Sequence, residues 1–120
     1  MQKSSIKKYL IALGAAALMT APAMAADIEA GKKIVQNVCK TCHGMNGNGN
    51  PENPDAATSP RLAGQYVDYM EKALEDYASG KRKNPIMSGF AAMLSPADRR
   101  NVAAYYSGQT GGGGTIQVSK

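Results

Sequence analysis

A five-residue motif, Cys39-Lys40-Thr41-Cys42-His43, constrains the fold of this 120-residue chain more than any other feature. It contains the only two cysteines and the only histidine of the sequence. Cys-x-x-Cys-His is the attachment signature of c-type haem. Two cysteines three positions apart lie on one face of a helical turn, where both sulfurs can bond to the two vinyl groups along one side of a porphyrin. The histidine then lies under the ring. We therefore predict one haem c, held by thioethers from Cys39 and Cys42 and ligated at its iron by His43.

Three other roles for the motif explain it less completely. A structural zinc site usually needs four Cys or His ligands, and this chain offers three. A thioredoxin-like redox pair is expected in a βαβ context, whereas nothing near the motif predicts a strand. A structural disulfide between Cys39 and Cys42 would suit an exported protein, but it would leave His43 without a role.

The first 25 residues have the features of a secretory signal peptide. Three lysines precede an apolar core at residues 9–19, and Ala-Met-Ala at residues 23–25 forms a small-x-small cleavage site. We expect cleavage after Ala25 and a periplasmic mature protein. The alternative is an uncleaved membrane anchor, because the charge-free stretch 9–26 has 18 residues, just long enough to span a bilayer.

The remaining chain is predicted to form one domain, residues 26–110, and a flexible glycine-rich tail, residues 111–120. The whole chain has a net charge of +5, but three of its 14 basic residues lie in the leader, which leaves 11 against 9 acidic residues. This near balance gives no indication of nucleic-acid binding. With one Phe and no Trp, so small a domain has little material for a core, and a buried porphyrin would add apolar surface.

Apolar spacing and capping residues predict helices and no strands. In the clearest helix Met70 is interpreted as core packing and Asp68 as the ion-pair partner of Lys72. Ser95 and Pro96 form a strong start for the last helix. The predicted helices cover about residues 27–38, 65–79, 90–94 and 95–107, with an irregular loop at 81–87. The predicted fold is all-α, with three main helices plus short helical turns wrapped around one covalently bound haem.

A second axial ligand, on the face opposite His43, is expected to be a methionine, because the chain has no second histidine. Met45 is too close in sequence to reach the other face, and Met70 is assigned to the core. Met87 is favoured because it lies in a Pro-containing loop that can bend toward a metal. Met93 stays open as the alternative, although it lies in a helical stretch where methionine usually packs.

Several short segments match one known family in chain order. They are the first helix from Gly31 to Cys39 and residues 60–65, 84–87 and 102–106. Together with the attachment motif they resemble the class I bacterial cytochromes c. The resemblance is greatest to one domain of the tandem di-haem cytochromes or to their single-haem relatives. The attachment motif is highly specific for haem, whereas each of the other segments is a weak signal by itself.

The resemblance implies a role for each segment. The carbonyl of Pro60 would accept a hydrogen bond from His43 and orient its ring. Met87 would be the axial methionine. Tyr105 in the last helix would cross the first helix at Gly31, which explains a glycine inside a helix.

The same resemblance implies a periplasmic one-electron carrier with a low-spin haem and His/Met ligation, and not an enzyme. Its partners would be redox proteins that dock transiently through Lys81, Arg82 and Lys83, unless these are an ordinary solvated charge run. No stable membrane span is expected once the leader is cleaved. The alternatives are a haem subunit of a larger oxidoreductase and, less in keeping with the residues, an open-site haem enzyme or gas-binding protein.

Overall fold

The structure, a computed structural model, describes residues 24–53 and 56–110. Nearly all of the expected signal peptide and the whole expected tail lie outside these residues. The described part contains five α-helices and no strand, in keeping with the predicted all-α class. The helices are α1 (Ile28–Ile34), α2 (Lys40–His43), α3 (Val67–Ser79), α4 (Pro85–Ala92) and α5 (Pro96–Ser107), and a π-helical turn (Val35–Cys39) joins α1 to α2.

The first helical segment begins where the sequence predicts but is longer and less regular. Asp27 is the N-cap, and its side chain accepts a hydrogen bond from the Ala30 amide. The prediction of an α-helix ending near Val38 is wrong, because α-helical geometry ends at Ile34 and helical structure continues through the π turn and α2. No residue that stops a helix occurs before Gly44, so the chain stays helical up to His43. The π turn places Cys39 at its last position.

α1 crosses α5 at Gly31, as the family resemblance implied. A Cβ atom on Gly31 would lie 2.2 Å from the Asn101 carbonyl oxygen and 3.2 Å from Tyr105 Cβ. At the same crossing the Asp27 amide donates to Asn101 Oδ1 at 2.8 Å. The glycine is therefore required by the close approach of the two helix backbones.

α3 packs against α5 and α4. It begins at Val67, two residues later than predicted, and ends at Ser79, after which the C-cap residue Gly80 adopts a left-handed conformation with φ 79°. Met70 is buried, so its assignment to the core is confirmed. The predicted ion pair of Lys72 is wrong, because this side chain pairs with Asp76 one turn later. The core combines Val35, Met70, Val102, Ala103, Tyr105 and Tyr106.

α4 is the largest departure from the sequence prediction. The expected loop 81–87 ends early, because Asn84 caps a helix that begins at Pro85. Asn84 Oδ1 accepts hydrogen bonds from the amides of Ile86 and Met87, each at 3.1 Å. Met87 therefore lies in the first turn of a helix and not in a flexible loop. An N-cap residue followed by proline is a standard helix start, and it begins a helix here although the preceding residues are polar and basic.

α5 begins as predicted. Ser95 Oγ accepts from the Asp98 amide, and an Asp98 carboxylate oxygen accepts from the Ser95 amide, each at 3.1 Å, which completes a capping box. The helix ends at Ser107, before Gly108. Among the residues that the structure describes, no helix is both long and apolar enough to cross a membrane.

Candidate haem site

The attachment motif ends the first helical segment, with Cys39 at the last position of the π turn and Cys42 and His43 in α2. Cys39 and Cys42 are free thiols, both half-buried. Burial raises the pKa of the Cys39 thiol to about 11. Redox-active cysteine pairs have the opposite property, a lowered pKa that supplies thiolate. Across residues 24–53 and 56–110, no three His, Cys, Asp or Glu side chains are arranged to hold a metal ion as a group. These features disfavour the redox-pair and zinc alternatives.

His43 is buried, at 7% exposure, and its ring is fixed by Pro60. Nδ1 lies 2.9 Å from the Pro60 carbonyl oxygen. Because a carbonyl oxygen only accepts, the proton is on Nδ1, and the lone pair of Nε2 is left to bind a metal. Burial lowers the pKa of the imidazole, and the hydrogen bond to Pro60 opposes that shift only in part. The ring is therefore held in the neutral form that ligates iron.

The loop after His43 folds back onto the segment that carries Pro60. The Gly49 amide donates to the His43 carbonyl at 2.9 Å, and the Leu62 amide donates to the Gly47 carbonyl at 2.7 Å. A Cβ atom on Gly47 would lie 2.6 Å from the Ala63 amide nitrogen, and φ is +75° there, so this position requires glycine. The hydrogen bond between His43 and Pro60 is thus supported by backbone contacts between the two loops.

Sequence reasoning missed three side chains that hold the motif in place. The amide groups of Asn50 and Asn53 both donate to the Thr41 carbonyl, at 2.9 and 3.0 Å. The buried hydroxyl of Tyr106 donates to the Gly44 carbonyl at 2.9 Å. The asparagines signalled only a turn-rich loop, and nothing in the local sequence indicates which carbonyl each of these groups reaches.

The four methionines beyond the leader occupy different environments. Met70 is in the core, and Met45 packs against it. Met93 is the C-cap of α4 and is 67% exposed. Met87 is half-buried in the first turn of α4. The Met87 amide donates to the Asn84 side chain, so the backbone position from which the Met87 side chain extends is fixed.

The residues present fit a haem c. Thiols, a neutral imidazole with a free Nε2 and methionine thioethers are the donors that this group uses. The outer face of α4 is apolar: Ile86 and Met93 are each 67% exposed and Phe90 is 40% exposed. With Gly89 they line a shallow groove of about 310 Å³. An apolar lining of this kind suits the face of a porphyrin.

The three basic residues before α4 do not have the same environment. The guanidinium of Arg82 lies 4.9 Å from the centre of the Tyr77 ring, and Nη1 lies 3.4 Å from the Tyr69 hydroxyl. Arg82 therefore anchors the loop to α3. Lys81 and Lys83 are exposed, and neither forms an ion pair with the described residues. Of the three, these two are the cations open to a partner.

Comparison with known proteins identifies a family. A family model described as cytochrome c matches residues 28–108. The chain is 36% identical over 88 residues to cytochrome c-554(548) of Halomonas halodenitrificans, an alignment that covers 71% of this chain and 99% of that protein. It is 41% identical over 95 residues to the thiosulfate dehydrogenase electron acceptor of Stutzerimonas stutzeri, covering 75% of this chain and 42% of that protein.

A solved structure gives the same result for the fold. Reduced recombinant cytochrome c4 from Pseudomonas stutzeri superposes with a TM-score of 0.59 and 34% sequence identity, covering 71% of this chain and 50% of that chain. The chain spans less than half the length of several curated relatives, including 30% of the thiosulfate dehydrogenase electron acceptor of Thiomonas intermedia.

Proposed function

Because the chain belongs to the cytochrome c family, we propose that it carries single electrons on one haem c. The observation that carries this proposal is the buried imidazole of His43, which directly follows two free thiols and has its Nδ1 fixed 2.9 Å from the Pro60 carbonyl. When bound, the haem iron supplies a one-electron redox couple. The chain's own residues determine how the group is held and how its potential is set.

In this proposal the two cysteines and the histidine of the motif, together with Pro60, have separate roles. Cys39 and Cys42 hold the porphyrin through two thioethers, so neither is available as a redox thiol. His43 offers Nε2 as an axial ligand. Pro60 keeps the proton on Nδ1 and fixes the ring plane, which raises the basicity of the ligand nitrogen.

Met87 is proposed as the second axial ligand. Its amide is fixed by Asn84, in a segment (residues 84–87) that resembles the ligand-bearing loop of the family, which favours it over Met93; Met70 is used in the core. A thioether stabilises the ferrous state relative to a nitrogen ligand and raises the reduction potential. If His43 and Met87 both held the iron in its two oxidation states, no position would be open for a substrate, which favours a carrier over an enzyme.

An absorption spectrum of the purified ferric protein tests the ligand assignment. We expect a weak sulfur-to-iron charge-transfer band that is lost in Met87→Ala and kept in the matched variant Met93→Ala. A band that survives in Met87→Ala and disappears in Met93→Ala would reassign the ligand. Rapid binding of carbon monoxide by the native ferrous protein would refute six-coordination and favour an open-site protein.

The proposed partner is an electron-donating dehydrogenase with an acidic docking surface. The names of two relatives, thiosulfate dehydrogenase electron acceptors, support this class of partner. Lys81 and Lys83 are the proposed contacts, because Arg82 is already used to anchor the loop. Exposed charges steer association and are screened by salt, with a Debye length of about 8 Å at 0.15 M.

Stopped-flow reduction by a thiosulfate dehydrogenase tests this docking surface. We expect the second-order rate constant to fall with added salt, and to fall at low salt in the double variant Lys81→Glu, Lys83→Glu. The double variant Lys32→Glu, Lys33→Glu, which reverses two exposed lysines on α1, is the charge-matched control and should have a smaller effect. Equal effects of the two changes would mean that only net charge matters.

We also propose that the protein is exported and that its leader is cleaved after Ala25. N-terminal sequencing of the haem-containing protein from the periplasmic fraction should begin at Ala26. A product that keeps residues 1–25 and sediments with membranes would instead support the anchor.

A further inference from the structure

We propose that the hydroxyl group of Tyr106 positions His43, and that this contact lowers the reduction potential of the bound haem. The hydroxyl fixes the carbonyl group of Gly44, the residue that follows His43, so that the imidazole keeps a short hydrogen bond to Pro60. The inference rests on the proposed function, since it assumes that His43 ligates the iron. It assigns to α5 a role at the iron site in addition to packing.

The first support is the contact itself. Tyr106 is fully buried, and its hydroxyl donates to the Gly44 carbonyl at 2.9 Å. Gly44 directly follows His43. The only other donor to this carbonyl among the described residues is the Gly47 amide, at 3.4 Å. Tyr106 therefore provides the shorter of these two bonds to the Gly44 carbonyl.

The second support is that Tyr106 contacts both loops that meet at His43. Its ring packs on the loop after His43: a Cβ atom on Gly47 would lie 2.9 Å from Tyr106 Cδ1. Its carbonyl accepts from the Gly64 amide at 3.0 Å, in the segment that begins with Pro60. One buried residue thus sets the spacing between the imidazole and the carbonyl that accepts its proton.

The third support is chemical. A short bond from Nδ1–H to a carbonyl increases the electron density on Nε2 and so stabilises ferric iron more than ferrous iron. If Gly44 moves, the bond from His43 Nδ1 to the Pro60 carbonyl lengthens and the ferric state loses stabilisation, so the reduction potential rises. Burial raises the pKa of the Tyr106 hydroxyl far above its ordinary value. The group therefore stays a donor over the whole working range of pH.

The chain contains a matched control in Tyr105. It is the adjacent residue on α5, is also buried, and its ring lies 5.6 Å from that of Tyr106 in an edge-to-face arrangement. Its hydroxyl has no hydrogen-bond partner within residues 24–53 and 56–110. Tyr105→Phe and Tyr106→Phe each remove one hydroxyl oxygen from neighbouring positions, but only the second removes a bond to the Gly44 carbonyl.

The test measures the reduction potential of the haem-loaded proteins and the solvent exchange of the His43 Nδ1 proton in the ferrous state by NMR. In Tyr106→Phe we expect the ferrous-to-ferric ratio at a fixed ambient potential to rise about threefold. This corresponds to about +28 mV, since a tenfold change is about 59 mV for one electron. The Nδ1 proton should exchange at least several times faster. Tyr105→Phe should leave both values unchanged.

A double-mutant cycle with Pro60→Ala separates positioning from a general loss of stability. Pro60→Ala keeps the carbonyl but frees its backbone, so the hydrogen bond to His43 is already loosened. The effect of Tyr106→Phe on the potential should then be much smaller. Additive shifts, or equal shifts in Tyr106→Phe and Tyr105→Phe, would overturn the proposal.

A second perturbation covers the case in which Tyr106→Phe does not fold. Incorporation of 3-fluorotyrosine makes each phenol a stronger donor and leaves the chain otherwise intact, so the potential should fall. An unchanged or higher potential would overturn the proposal. A wild-type protein that takes up no haem, or whose His43 is not a ligand, would refute the proposed function and this inference together. If the wild-type protein binds haem through His43 but Tyr106→Phe has the same reduction potential as the wild type, the inference alone is refuted.

Discussion

Replacing Gly31 by alanine tests how closely α1 and α5 approach each other. The new Cβ atom would lie 2.2 Å from the Asn101 carbonyl oxygen and 2.6 Å from its carbonyl carbon. Both are backbone atoms of α5, so no side-chain rotation can relieve the contact. The helices must separate by roughly 1 Å, and a gap of that size loses about a quarter to a half of the dispersion energy of the atoms that part.

The expected magnitude is a balance of two effects. Alanine is intrinsically better than glycine inside a helix by about 1 kcal/mol. Overpacking costs typically about 1–3 kcal/mol and more where only backbone can move. Separation also lengthens the 2.8 Å bond from the Asp27 amide to Asn101. We expect a net loss of about 1–3 kcal/mol in the free energy of unfolding, where each kcal/mol corresponds to roughly 4–8 °C in Tm for a domain of this size.

The assay is guanidinium unfolding of the haem-loaded protein, followed by far-ultraviolet circular dichroism. Gly108→Ala is the control, since Gly108 has an ordinary right-handed backbone and a Cβ atom there would meet nothing closer than 3.6 Å. That variant should be neutral or more stable by up to about 1 kcal/mol. If Gly31→Ala is as stable as Gly108→Ala, the close crossing is refuted.

Two further predictions concern the site. Asn84→Ala removes the acceptor for the Ile86 and Met87 amides and should cost about 0.5–2 kcal/mol. In Asn84→Ala the sulfur-to-iron band should also be lost at a lower denaturant concentration than in Asn84→Ser, because serine keeps a capping oxygen. Identical denaturant profiles of the two variants would contradict this. Burial raises the pKa of Tyr106 in the folded state. The contribution of this shift to the free energy of unfolding is therefore complete below the pKa of tyrosine in the unfolded chain, about 10, and is lost as the pH rises above that value. Unfolding measured between pH 9 and 11 should therefore show a decline of up to about 1.4 kcal/mol per pH unit that is absent in Tyr106→Phe, and equal slopes would contradict the assignment.

Features that depend on neighbouring residues were predictable from the sequence. The caps at Asp27 and Ser95 each need only a polar side chain within reach of an amide a few residues later. The spacing of the attachment motif has a local mechanical reason. The helix start at Asn84 is also a local signal, because an Asn-Pro pair suits the N-cap and first positions of a helix.

Features that depend on distant residues were not predictable in the same way. The hydroxyl of Tyr106 and the carbonyl of Gly44 are 62 positions apart, and a tyrosine in an amphipathic helix gives no indication of its acceptor. The Lys72 side chain has three acidic neighbours at helical spacing, at i−4, i+3 and i+4, and the sequence does not decide between them. The contact between Gly31 and Tyr105 was anticipated only because a known family supplied it. The change from α to π geometry at Val35 has no sequence signal that we can identify.

The long sequence separation of these contacts has a consequence for biogenesis. The Asp27–Asn101 bond closes 74 positions, so the helix that packs over the attachment site is synthesised well after that site. Closing so long a loop costs entropy that only later packing offsets. Until α5 docks, the Cys39 thiol keeps its ordinary pKa of about 9, and folding then raises it to about 11. We therefore expect the chain to be the better substrate for thioether formation while it is still unfolded, so that covalent attachment precedes the native structure. Alkylation of Cys39 in the haem-free chain should accelerate in denaturant, and a rate unaffected by denaturant would contradict this order of events.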